Sequence, residues 1–88
     1  MNSMNKTNIN KKERFDPKTL KPFDRVIVRE ERNKIWKCDY FSNYRPDYVY
    51  KYLCIGSNHI YCIPYNDETK HLVGTKDEAP DFYKYWED

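Results

Sequence analysis

Aromatic rings rather than aliphatic side chains must supply the interior of this chain. Leu, Ile, Val and Phe account for only seventeen of its 88 residues, a proportion usually found in chains that do not fold. Nine Tyr and two Trp make up for that shortage, because each such ring buries on the order of 150–250 Å². A chain of this length closes around one core. No apolar run approaches the roughly 18 residues that a membrane helix needs.

The first fourteen residues are Asn- and Lys-rich, with only Met1, Met4 and Ile9 as apolar groups. They contain no apolar stretch of the kind that directs export. The expected organisation is a disordered basic tail over 1–14 and a single compact β-rich domain over 15–88. Phe15-Asp16-Pro17 and Lys21-Pro22-Phe23-Asp24 bracket a connector whose prolines favour extended or turn backbone.

From Arg25 onward the pattern is β. Val26-Ile27-Val28 is a branched run and residues 30–33 form a polar turn. Over Ile35 to Phe41, Trp36, Cys38 and Tyr40 alternate with Lys37 and Asp39, which predicts a strand burying the first set with Trp36 as core anchor. Ser42 to Asp47 reads as a loop. Tyr48 to Ile55 is the next expected strand, its core side left open by pattern alone because Tyr48, Tyr50, Tyr52 and Cys54 oppose Val49, Leu53 and Ile55. Gly56-Ser57-Asn58 predicts a tight turn into a partner strand, His59 to Ile63. A last short strand is expected at His71-Leu72-Val73, and acids before Phe82, Tyr83, Tyr85 and Trp86 predict a short C-terminal helix. The expected fold is mainly β: a small, strongly bent antiparallel sheet or an SH3-like barrel of four to five strands with that helix as a cap.

Little in the sequence points to a reaction. Cys54, His59, Cys62 and His71 are zinc-ligand types but lack a knuckle spacing. Core cysteines and surface-turn histidines explain them better, so no metal or cofactor is expected. His59 and Cys62 are three apart, which on a strand sends their side chains to opposite faces. With only two glycines there is no phosphate loop. An enzyme is not expected. Three cysteines without an export signal suggest a reduced compartment, that is, a cytoplasmic protein.

Charge and tyrosine carry more information. Residues 1–37 hold eleven Lys and Arg against five acids, while residues 38–88 hold five against nine, so the halves differ in sign. A basic arm and a barrel edge bearing Arg25, Arg29 and Lys34 would attract nucleic acid or an acidic protein. Self-neutralisation against the acidic half is the alternative. A period-two series at Tyr48, Tyr50 and Tyr52 would either wall the core or form an exposed recognition strip. The candidate partner-binding residues are Arg25, Arg29, Tyr48 and Tyr50.

Residues 20–29, LKPFDRVIVR, then Trp36, then the stretch CIPYNDETKHLVGT at 62–75 resemble a small domain of gut anaerobic bacteria and of the tailed phages that infect them. The likeness spans about residues 15–86. That family carries no assigned activity, so the resemblance implies only a phage or mobile-element setting and one compact β-rich domain. The leading expectation is a non-enzymatic binding module occupying a surface on a protein partner, either a host factor or a phage component. A nucleic-acid-binding protein using the basic half and a structural subunit of a phage particle are the alternatives.

Overall fold

The computed structural model describes residues 13–87. The expected tail therefore lies outside the described residues except for Glu13 and Arg14. Five strands form one sheet: β1 (Arg25–Arg29), β2 (Lys37–Tyr44), β3 (Tyr52–Cys54), β4 (Asn58–His59) and β5 (Tyr61–Pro64). Every neighbouring pair is antiparallel, and the order across the sheet is β4-β3-β2-β1-β5.

β1 explains the core. Its Val-Ile-Val run does not alternate because both faces are covered. Val26 and Val28 face Leu20, Phe41, Tyr52, Cys54 and Cys62. Ile27 faces the other way, against Trp36, Ile63, Leu72, Ala79 and Tyr83. The register fixes this, with Ile27 opposite Cys38 on one side and Ile63 on the other. Burying each of these three aliphatic side chains contributes about 1.5–3 kcal/mol.

Trp36 is the expected anchor. It is fully buried, and its indole N–H donates to the Asp77 carbonyl at 2.8 Å. Its backbone holds the returning chain: the Trp36 N–H donates to Thr75 and its carbonyl accepts from Gly74. Gly74 has φ of +83°, which a residue without a Cβ adopts freely. The 72–79 segment is thus strapped over the Ile27 face.

β2 starts two residues later than expected and runs three further, through Ser42–Tyr44. Its first half pairs with β1 and its second with β3, with a register shift between Phe41 and Asn43. Such bulges bend a strand and increase its twist. The β3–β4 end reaches back toward β1, so that His59 lies 2.9 Å from Glu30. Among the described residues the sheet nevertheless stays open and no barrel closes. β4 is only two residues long, and on β5 the Cys62 carbonyl accepts the Tyr85 hydroxyl at 2.8 Å.

Three other expectations are corrected. Cys38 and Tyr40 are exposed, because the strap covers their face only near Trp36, Ile27 and Ile63. The partner strand after the turn is split: Asn58–His59 pairs with β3, whereas Tyr61–Pro64 crosses to β1. Among the described residues there is no short C-terminal helix; Asp81–Tyr83 is a single 3-10 turn, and His71 and Leu72 lie in another rather than in a strand. Tyr83 and Tyr85 both point at the sheet. Residues two apart diverge by about 200° on a helix but share a side on extended backbone, and Lys84 breaks the turn at φ −90°, ψ 53°.

Candidate functional site

Beyond the strap, the face shared by Trp36 and Ile27 is open. Arg25 and Tyr40 are directly opposed on β1 and β2, and the Ile55 N–H donates to the Tyr40 carbonyl at 2.9 Å. Tyr40 is 48% and Ile55 63% exposed. Arg25 lies flat here, its guanidinium 4.0 Å from the Tyr65 ring centre. One row across the sheet therefore presents an aliphatic side chain, a phenol and a cation.

Phe23 adds a second element. The Asp24 N–H donates to the Lys21 carbonyl at 3.0 Å, and the Asp24 carboxylate accepts from the Lys21 N–H at 2.9 Å. Pro22 and Phe23 are the central residues of this turn. Phe23 has φ of +73°, the conformation that such a turn position normally assigns to glycine. A side chain there costs roughly 1–2 kcal/mol. Burial does not offset it, for the ring is 75% exposed. Mutual backbone bonds, Phe23 N–H to Phe41 and Phe41 N–H to Asp24, hold the turn next to Tyr40. Strain without burial is a feature of positions kept for contact rather than stability.

The expected site residues divide. Arg25 belongs to this surface. Arg29 does not: it is 1% exposed, with its guanidinium 4.1 Å from the Trp36 ring and near the carbonyls of Lys34, Lys76 and Asp77. Burial lowers its pKa, an effect opposed by Glu78. The guanidinium lies beneath the strap, so Arg29 is part of the core. Nearby Arg32 is held by Glu78 at 3.0 Å and by Glu87. The Arg32 hydrogen bond in turn lowers the Glu78 pKa.

Tyr48 and Tyr50 are exposed but form no strip with Tyr52. They stand in the 45–51 loop, closed by the Arg45 N–H on Lys51 and the Tyr48 N–H on Arg45. Tyr52, by contrast, is buried in β3, which settles its core side as that of Tyr52 and Cys54. The loop begins beyond Tyr44, four residues or roughly 13 Å along β2 from Tyr40. The structure thus does not bring Tyr48 and Tyr50 beside Arg25.

His59, expected at a surface turn, is buried instead. Its Nε2 lies 2.9 Å from the Ser57 hydroxyl and 3.6 Å from Asp39, and its Nδ1 lies 2.9 Å from Glu30 off the N–H line. Serine and histidine two apart on a strand share a face, the pattern in the sequence that marks this contact. It resembles a nucleophile and its base only in part. A general base must offer a lone pair toward the nucleophile, and here a carboxylate approaches the same nitrogen. Asp39 is also committed, accepting the Gly56 and Tyr40 N–H groups at 3.0 and 2.7 Å. A Cβ on Gly56 would come within 2.8 Å of that carboxylate. The cluster works as a latch between the β3–β4 turn, β2 and the end of β1.

Two of the three thiols do not supply a nucleophile either. Cys54 and Cys62 are buried free cysteines in the core, and contact with Cys54 together with burial pushes the Cys62 thiol pKa well up. Thiols of that kind are inert. Among the described residues no group of three His, Cys, Asp or Glu side chains is placed to hold a metal ion, and no helix is long and apolar enough to cross a membrane. No protein-family model matches the chain, and neither a curated protein nor a solved structure does.

Proposed function

We propose that this chain is a non-enzymatic binding module that occupies a surface on a protein partner through the open face of β1–β3, with Phe23, Tyr40, Ile55 and Arg25 in contact. The observation that carries this reading is Phe23, an exposed ring held in a backbone conformation that glycine would adopt without strain. Exposed apolar side chains gathered on one face mark interaction sites, and an aromatic–arginine pairing is characteristic of binding hot spots. In the phage or mobile-element setting that the resemblance of residues 15–86 implies, the partner is a host factor or a phage component.

The test compares the wild-type chain with a Phe23→Gly, Tyr40→Ser variant as bait in infected cells. The expected result is a partner that co-elutes with the wild type and is lost with the variant, while circular dichroism of the two proteins agrees. A partner retained by the variant at equal yield overturns the assignment of this face. Retention that depends steeply on salt and vanishes with nuclease would favour the nucleic-acid reading instead.

A further inference from the structure

A cavity of about 670 Å³ opens between the 66–71 turn and the Asp81–Tyr83 turn, lined by Asp67, Glu68, His71, Pro80, Phe82 and Tyr83. Sites for bound ligands span roughly 300–1,000 Å³. None of its residues belongs to the open face of β1–β3. One wall falls in the CIPYNDETKHLVGT stretch, and its hydrogen bonds show how that stretch is built. The Asn66 side chain accepts the Glu68 N–H at 2.8 Å. The Thr69 hydroxyl accepts the Asn66 N–H at 3.0 Å and donates to the Pro64 carbonyl at 2.7 Å. Thr69 is wholly buried. This wall is held by its own hydrogen bonds.

Tyr83 joins the two walls. Its hydroxyl donates to Glu68 Oε1 at 2.6 Å and accepts from the Asn66 amide at 3.0 Å. Burial and the Glu68 carboxylate both raise the Tyr83 pKa, so the phenol keeps its proton as donor. Glu68 is thereby oriented at the rim, and among the described residues it forms no ion pair. Asp67 beside it is paired with Lys70 at 3.1 Å. Phe82 is exposed and stands edge-on to the Tyr83 ring, 4.9 Å away.

We propose that this cavity receives an arginine or lysine side chain from an extended, partly apolar segment of a partner protein. The cationic head would meet Glu68, and its methylene stem would lie along Phe82 and Pro80. A carboxylate with no cation of its own among the described residues, beside an exposed ring, matches both parts of such a side chain. The segment 38–88 that builds both walls carries a net charge of −4. A peptide suits the site better than a free amine, because an open cavity of this size needs apolar neighbours on the same ligand to exclude water.

The test is amide NMR of the full ¹⁵N-labelled chain, titrated at low ionic strength with a blocked peptide holding one arginine between two leucines. Shifts confined to residues 66–71 and 80–83 are expected, with affinity about fivefold weaker in Glu68→Gln, as befits an exposed charge pair. Glutamine still offers an oxygen to Tyr83, so the free variant should keep the wild-type spectrum elsewhere. Phe82→Ala, which leaves the backbone bond from Phe15 to Phe82 in place, should also weaken binding. The proposal is overturned by shifts elsewhere or none, by equal binding of a peptide with glutamine for arginine, or by an unchanged affinity in Glu68→Gln. Binding seen only after removal of residues 1–12 would overturn it too, since the chain's own basic segment would then be the occupant.

Discussion

The two halves of this sheet are built on different terms. Around residues 26–29 of β1 and around β5 both faces are covered, by Leu20 and Phe41 on one side and by the Trp36-anchored strap on the other. Around β2 and β3 one face packs and the other shows Tyr40 and Ile55 to solvent. The chain has few aliphatic residues, yet it places some of its large apolar side chains on the surface. Scarcity alone does not explain that, because Tyr40 and Ile55 share one row of the sheet and Phe23, in a strained turn bonded to Phe41, is exposed as well. The covered half makes the fold, and the open half is where contact with another molecule disturbs the fold least.

The largest expected effect breaks the covered half. Trp36→Ala should remove about 3–5 kcal/mol, since it empties a packed volume and frees the Asp77 carbonyl. Urea denaturation measures this, and a loss below about 1 kcal/mol would mean that the strap does not depend on the ring. Next in size is the response to alkali. Burial pushes the Tyr52 pKa up to about 12 and raises that of Tyr85 further still. In the unfolded chain both ionise near 10. Stability should therefore be intact below pH 10 and fall as pH rises from 10 toward 12. Phenolate absorbance, followed with unfolding, should show the buried tyrosines titrating together with loss of the fold.

Smaller effects sharpen the contrast. Phe23→Gly should stabilise the chain by up to about 1 kcal/mol, because glycine accepts the left-handed backbone. A measured destabilisation would show that the exposed ring packs in solution. Smallest is Tyr40→Ser, expected within about 0.5 kcal/mol of the wild type, as for a surface side chain. A loss comparable with that of Trp36→Ala would erase the distinction between the halves.

What the sequence discloses follows the same division. β1 and Trp36 are legible because a branched run and a lone indole leave few alternatives to burial. The β2 faces are misread because Trp36 and Phe41, both buried, point to opposite sides of a sheet covered on both. Alternation alone cannot show where that cover stops, so Cys38 and Tyr40 look internal. Tyrosine at 48 and 50 reads as strand because β propensity does not register the loop closed by Arg45 and Lys51. At the candidate site Arg25 is legible from charge, whereas Arg29 is not, since composition does not reveal the indole beneath it. Phe23 is harder still. A Pro-Phe pair announces a turn but not a left-handed phenylalanine.

The phenol bond on the outer strand has a further consequence. A sheet margin with unclaimed carbonyls can recruit strands from other molecules and propagate into fibrils. Here Tyr85 supplies the hydroxyl that Cys62 would otherwise seek elsewhere, and the opposite margin is two residues long. A margin so occupied offers less to an incoming strand, and Tyr85→Phe should shorten the lag before aggregation in concentrated solution.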